Sequence, residues 1–167
     1  MQGFHKIGQE QLENVFRLFQ KDWALLSAGT PECVNTMTVS WGGMGVLWNK
    51  PVAFCFVRPQ RHTYTLIERN DHLSLCFFEE RYRDALRLCG SKSGRDTNKF
   101  EAAGITPVFC ENTPYVGEAR LVLLCKKLYA DDLKKAAFLC PELLSHYTRQ
   151  DFHRMYICEI EQALVRD

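Results

Sequence analysis

The sequence predicts a mainly β protein, an antiparallel barrel with peripheral helices. Three observations carry that expectation. Short runs rich in Val, Ile, Thr and aromatic residues recur along the chain, separated by turn residues or short helical stretches. They do not alternate with long helices, as a doubly wound parallel sheet requires. No GxGxxG follows a first strand, so a nucleotide would not be held in Rossmann fashion.

Taken in order, residues 9–25 predict an amphipathic helix, with Leu12, Val15, Phe16, Phe19 and Trp23 on one stripe. Gly29-Thr30-Pro31 ends it. Val34 to Trp41 alternates as a strand, and Gly42-Gly43 predicts a turn or bulge. Val52 to Val57 is an almost unbroken apolar run, the pattern of a central strand that ends at Arg58-Pro59. Arg61-His62-Thr63-Tyr64 opens a short helix to about Arg69, and His72 to Phe78 is the next strand. Glu79 to Leu88 reads as helix, followed by the loop Cys89–Asp96, then a short helix Thr97 to Ala103 with Gly104 at its C′ position. Thr106 to Glu111 is a short strand, Asn112-Thr113-Pro114 a turn, and Val116 to Tyr129 a long strand. Asp131-Asp132 place carboxylates at the positive end of a helix running to about Leu139, and Met155 to Val165 closes the chain as a strand.

The length, 167 residues, fits one domain spanning residues 1–167. Such a domain buries about 70% of its unfolded surface and needs no disulfide or metal staple. With 21 basic and 20 acidic residues the formal charge is +1, which gives no reason to expect nucleic acid or an anionic membrane as a partner. No run approaches the roughly 18 apolar residues of a membrane span, and Met1–Lys6 lacks the apolar core of a secretory leader. The eight cysteines include no Cys-x-x-Cys, so neither zinc nor a redox disulfide is expected. Cys55, Cys76, Cys125 and Cys158 sit in apolar runs, where a free thiol packs as a small hydrophobe. A reducing, cytoplasmic setting fits that usage. Cys89 adjoins the glycine loop but has no neighbouring histidine to activate it.

The chemistry concentrates in that loop, Cys89-Gly90-Ser91-Lys92-Ser93-Gly94-Arg95-Asp96. Small residues, hydroxyls and cations are what an oxyanion site requires. The same composition also makes a solvated turn between two helices. The spacing is not that of a P-loop, because the lysine stands between the glycines. A second anion-ready feature is the helix start at Arg61-His62-Thr63, where free N–H groups and the dipole favour negative charge.

Four blocks, NTMTVSWGGMGVLWNKP, FVRPQRHTY, CGSKSGRDTNKF and DFHRMYICEI, in this order, resemble the flavin reductase-like family of FMN-binding split barrels, within it the flavoredoxin-type branch. The resemblance covers nearly the whole chain from residue 30 on. It implies a six-stranded antiparallel split barrel, a homodimer, and one FMN per subunit bound non-covalently near the interface. The family pattern implies flavin contacts along Asn35, Thr36, Met37, Thr38, Val39 and Ser40, with the Thr36 and Thr38 hydroxyls and strand amides at the pyrimidine edge. It implies a phosphate between Arg61, His62 and Thr63 on one side and Gly90, Ser91, Lys92 and Ser93 on the other, with Arg58 and Arg95 nearby. Arg58 and Arg95 read equally as structural ion-pair partners, and Thr36 and Thr38 as plain strand residues. Trp41 and Trp48 read as barrel or interface packing. The chain departs from the family pattern at His62, where an aromatic is frequent, and at Cys158, where glycine is frequent.

The implied activity is oxidoreduction: electrons pass from NADH or NADPH through bound flavin to a small acceptor (a free flavin or a metal chelate) or to a partner protein. An FMN carrier reduced by a partner protein is the alternative. No side-chain acid or base is assigned a catalytic part, since the cofactor carries the hydride chemistry.

Overall fold

The computed structural model describes residues 3–167; Met1 and Gln2, at the start of the stretch read for a leader, lie outside the described residues. Among the described residues there are ten strands: β1 (Phe4–Ile7), β2 (Ala24–Thr30), β3 (Cys33–Val39), β4 (Gly42–Leu47), β5 (Lys50–Val57), β6 (His72–Phe77), β7 (Pro107–Cys110), β8 (Thr113–Val116), β9 (Leu121–Asp132) and β10 (Arg154–Arg166). The α-helices are α1 (Val15–Arg17), α2 (His62–Arg69), α3 (Arg83–Ser91) and α4 (Lys99–Ala103), accompanied by a π-turn over Leu18–Asp22, short 3-10 turns and a longer 3-10 segment over Pro141–Tyr147. No helix among the described residues is long and apolar enough to cross a membrane.

One antiparallel sheet runs β3-β2-β6-β9-β10-β5-β4, with β1 also paired to β10, while β7 and β8 form a separate hairpin. Six of these strands, β3 through β5 in that order, send alternate side chains into a single interior: Met37 and Val39, Leu26 and Ala28, Leu73 and Leu75, Leu121 and Leu123, Tyr156 and Cys158, and Ala53 and Cys55 all belong to one buried cluster. A sheet whose inner residues share one core is curled upon itself. The path ends at β3 on one side and β4 on the other, and these two are not paired, so the barrel is split there. The six-stranded expectation describes this inner set; β1 and β4 extend the sheet beyond it.

A second core lies outside the barrel wall. Leu25, Cys76, Val122, Leu124 and Leu164 point outward and are covered by Leu86 and Cys89 of α3, Phe100 of α4, and Tyr115 and Val116 of β8. Strands β2 and β6 are therefore buried on both faces, which explains their near-continuous apolar sequence.

Several expectations are corrected. The helix over 9–25 is replaced by a 3-10 turn at Gln9–Gln11, α1, a π-turn over Leu18–Asp22, and then β2. Phe16, on the predicted inner stripe, is 82% exposed, whereas Leu18 and Phe19 are buried. The helix stops at Trp23, which takes a positive φ of 61°. Arg83 holds that turn by donating to the Lys21 and Asp22 carbonyls and stacking 4.7 Å from the Trp23 ring. Gly42-Gly43 is not a turn but the start of β4, where small residues admit the rings of Phe19 and Phe54. Strand β5 has only β4 beyond it, so it is next to the edge rather than central. Thr113-Pro114 belongs to β8, and the next strand begins at Leu121. No α-helix begins at Asp131-Asp132: both residues continue β9 opposite Met155 and Arg154, Arg154 donates to Asp132 at 3.0 Å, and only 3-10 segments follow, at Lys135–Ala137 and Pro141–Tyr147. Strand pairing outweighs the capping signal. The glycine loop is shorter than its sequence implies, because α3 runs on through Cys89, Gly90 and Ser91.

All eight cysteines are free, and Cys55, Cys76, Cys125 and Cys158 are fully buried as packing groups. Burial pushes the Cys89 thiol up to about 11, which suits packing and not nucleophilic attack.

Candidate functional site

Strand β3 is a sheet edge, and its alternation sorts the predicted residues. Met37 and Val39 face the interior core. Thr36 and Thr38 face the other way. The Thr36 hydroxyl donates to the Leu26 carbonyl at 3.2 Å and lies 3.0 Å from the Ser27 hydroxyl, which donates to it. Thr38 donates to the Leu86 carbonyl at 2.5 Å. Both hydroxyl protons are thus committed to holding β3 on β2 and on α3. The strand amides around them and exposed Ser40 are the remaining donors on this edge.

The start of α2 lies against the same strand. Arg58 through Arg61 form a turn, with the Arg61 N–H donating to the Arg58 carbonyl. Arg61 is the N-cap in extended conformation, and no side chain caps the helix. The Tyr64 N–H donates to the Arg61 carbonyl at 3.0 Å, which leaves the His62 and Thr63 N–H groups open to an acceptor. Thr63 is buried and accepts from the Asn35 amide at 3.0 Å, which fixes α2 to β3.

The third component is the end of α3 with the loop and α4 that follow. The Arg61 guanidinium donates to the Gly90 carbonyl at 2.8 Å and the Cys89 carbonyl at 3.3 Å. Lys99, the first residue of α4, is 3% exposed and donates to the carbonyls of Cys89 and Thr36, both at 2.9 Å. Two cations thus satisfy the carbonyl end of α3, the negative end of its dipole. Gly90 and Gly94 let the loop close on β3: a Cβ at Gly90 would lie 3.3 Å from Thr38, and one at Gly94 only 2.4 Å from the Asn35 amide.

These elements bring three cations, Arg61, Arg95 and Lys99, together with His62. None of the four forms an ion pair with a carboxylate among the described residues. Burial, and for Lys99 and His62 the neighbouring cations, lower the titration of three of them. Burial and then Arg61 bring the Lys99 ammonium down to about 8. Burial lowers Arg61. Burial, then Arg95 and Lys99, lowers His62. Lys99 retains one N–H beyond its two carbonyl bonds, and Arg61 retains its Nε–H. A cluster of this kind, held in place by neutral carbonyls with donors to spare, is the donor set a phosphate dianion requires.

Two concave regions flank the cluster along β3. A recess of about 230 Å³ is lined by Met37 to Trp41, Phe56, Arg58, Arg61 and His153. A larger cleft of about 710 Å³ starts at Asn35, His62, Arg95 and Lys99 and extends along the β2–β3 turn. His153 in the recess is buried, lies with its Nδ1 2.9 Å from the Tyr147 hydroxyl, and has its ring 5.1 Å from that of Trp41. Burial, and then the Arg58 charge, hold it neutral with a value of about 4.

The remaining predicted side chains are engaged in other contacts. Ser91 turns its hydroxyl back onto the Arg87 and Leu88 carbonyls of its own helix. Ser93 accepts from the Arg95 N–H. Lys92 is exposed and lines neither concave region. Arg58 is a structural ion-pair partner: it reaches Asp151 at 2.6 Å, donates to the His146 carbonyl and lies over the Tyr147 ring. Arg95 pairs with no acid and donates to the Gln60 carbonyl at 3.0 Å. Sequence reasoning missed Lys99. The available signal was its place at the positive end of a short helix, where a cation opposes the dipole and needs a tertiary reason.

A split barrel whose edge strand, helix start and glycine loop converge on a cation cluster defines a flavin reductase-like fold. The family described as "Flavin reductase like domain" matches residues 16–167, and the chain belongs to it. Among solved structures, flavoredoxin of Desulfovibrio vulgaris superposes with a TM-score of 0.70 at 20% identity, over 96% of this chain and 77% of that one. An FMN-binding domain of a flavin reductases-like enzyme from Shewanella baltica gives 0.69 at 17% identity, over 98% and 77%. The styrene monooxygenase flavin reductase of Pseudomonas putida gives 0.62 at 15% identity, over 85% and 77%. No curated protein sequence matches the chain at a significant level.

Proposed function

We propose that the chain binds FMN along β3 and uses it to move electrons from NADH or NADPH to a small acceptor or a partner protein. The observation that carries this reading is the cation cluster without a carboxylate partner, beside a strand edge and a recess. Arg61 and Lys99 hold the phosphate by charge-assisted bonds, and the open N–H groups of His62 and Thr63 complete the cradle. Arg95 adds longer-range charge. The backbone of Met37 to Ser40 meets the ring edge in the recess, with Trp41 and neutral His153 covering it. The bound flavin supplies hydride and electron transfer. No residue of the recess is assigned a proton at that step: neutral His153 orders Tyr147 and Trp41 and keeps a second cation from competing with the phosphate site.

We further infer a homodimer. The outer faces of β4, β5, β10 and β9 align Gly43, Phe54, Ile157 and Tyr129 in one cross-strand row, with Phe56 and Met155 beside it. Tyr129 and Trp41 are 44% and 45% exposed, and Phe56 also lines the recess. An apolar face of this extent beside the site is suited to a second copy that encloses it. Size-exclusion chromatography with light scattering reads this directly, and a monomeric holoprotein refutes it.

The function is tested by an anaerobic visible spectrum of the purified protein before and after NADH and then NADPH. An oxidised-flavin spectrum that bleaches promptly identifies a reductase and its donor. One that stays oxidised until dithionite is added favours the carrier alternative. A protein that takes up no FMN refutes both.

A further inference from the structure

On the outer face of the sheet, the turn of the β7–β8 hairpin meets β6, β9 and β10 and encloses a small polar cavity of about 40 Å³. Leu124 of β9 lines it together with His72 of β6, Glu161 and Gln162 of β10, and Glu111, Asn112 and Thr113 of the hairpin. The β9–β10 register skips Glu161, between Ile160 and Gln162. A bulged residue is re-aimed out of the ladder. Glu161 turns toward His72, with 3.4 Å between carboxylate and imidazole.

Two polar side chains in this cavity lack partners. The Gln162 Oε1 atom is buried and accepts no hydrogen bond. The Thr113 side chain is 5% exposed, and its hydroxyl is likewise unpartnered among the described residues. Glu161 and Glu111 add negative charge, and no lysine or arginine lines the cavity. Lys126, opposite His72 in the β6–β9 register, is exposed and lies outside these walls. A buried oxygen left without a donor costs about 1–3 kcal/mol. The cluster therefore suits a group that brings both N–H donors and positive charge.

Volume limits that group. A water molecule's share of the liquid is roughly 30 Å³, so the cavity holds one ammonium head and no quaternary one. The rest of such a ligand has a defined exit. His72 and Asn112 also line an adjoining cavity of about 330 Å³, together with Thr30, Arg69 and Asp71. Arg69 and Asp71 contribute one charge of each sign there, so the net negative charge is concentrated in the inner cavity.

We propose that the two cavities form a binding site for a small primary amine. Its ammonium is held by Gln162 Oε1, the Thr113 hydroxyl and the Glu161 carboxylate, and its chain lies in the outer cavity. The three N–H donors of an ammonium match these three acceptors. The bound amine ties the hairpin turn to β6 and β10. The proposal does not rest on the flavin reading.

The test is isothermal titration calorimetry of the purified protein at about pH 7.5, where a primary amine is protonated. The probes are ethanolamine and 1,4-diaminobutane; choline, whose nitrogen has no N–H and exceeds the inner cavity, is the control. The expected result is saturable binding of at least one primary amine with a Kd below about 1 mM, and choline weaker by at least about tenfold. No primary amine reaching that affinity, or choline binding as well as the amines, overturns the proposal and leaves the cavity to water. These comparisons need no variant. E161Q keeps the side-chain shape and removes the charge, and is expected to weaken amine binding by about tenfold or more. T113V removes one acceptor and is expected to weaken it by about threefold or more. Unchanged affinity in either variant overturns the placement of the ammonium.

Discussion

Replacing Lys99 with methionine removes one charge and keeps the side-chain volume, so it isolates the phosphate contact assigned to Lys99. A hydrogen bond to a charged group is worth about 1.5–3 kcal/mol. On that basis K99M raises the FMN dissociation constant by about 10- to 150-fold. Its effect on stability is smaller, because the lost bonds to the Thr36 and Cys89 carbonyls are offset by removal of a buried cation that has no counter-ion. The pH dependence separates the ligand role from the structural one. Lys99 titrates at about 8 in the free protein, below its ordinary 10.5, and a bound phosphate favours the charged form. FMN affinity is therefore flat below about pH 8 and falls above it, by up to about tenfold per pH unit, until the bound-state value is reached. Stability of the flavin-free protein moves the opposite way. The unfolded chain holds the Lys99 proton more tightly, so stability rises between about pH 8 and 10.5. Flavin fluorescence titrations from pH 6.5 to 9.5 on both proteins measure the slope. A flat profile in the parent, or an unchanged dissociation constant in K99M, refutes the assignment.

Other substitutions follow the same geometry. Arg61→Ala loses a phosphate donor together with the bonds to Cys89 and Gly90, so FMN retention should fall by about 1.5–3 kcal/mol, read by fluorescence titration. Lys92→Ala should change the same dissociation constant by no more than about fivefold, the range of an exposed charge; a larger loss would return the phosphate to the loop tip. Gly94→Ala places a methyl group against the Asn35 amide and should cost about 1–3 kcal/mol in denaturant unfolding, with FMN loss following from displacement of the Asn35–Thr63 bond. Arg58→Ala leaves the half-buried Asp151 carboxylate with only Gln60 as a partner, so unfolding should be easier by about 2 kcal/mol while flavin affinity changes less.

The short strands, the two anion-ready segments and their order were legible in the sequence. Strand β3 and helix α2 have their predicted places because alternation and a Pro-bounded turn are local signals. The hydroxyls and cations were legible as a set but not as individuals. Thr36 and Thr38 resemble ring contacts in one dimension, yet β2 and α3 take their protons. Ser91 resembles a phosphate ligand, yet α3 continues through it and claims its hydroxyl. Lys92 and Lys99 are equivalent by composition, and only the fold of α4 onto β3 buries one and leaves the other in solvent.

The N-terminal third shows the same division. Residues 9–25 carry a helical stripe, but Trp23 takes a left-handed conformation under Arg83 and the chain becomes β2. Periodicity and turn chemistry act over a few residues, so the sequence already assigns strands β3, β6 and β10, helices α2 and α3, and the supply of cations around two glycines. Which cations lose their water and lack a carboxylate partner is set by the fold. That depends on which backbone carbonyls the closing barrel brings within reach, and those contacts join residues as distant in sequence as Thr36 and Lys99.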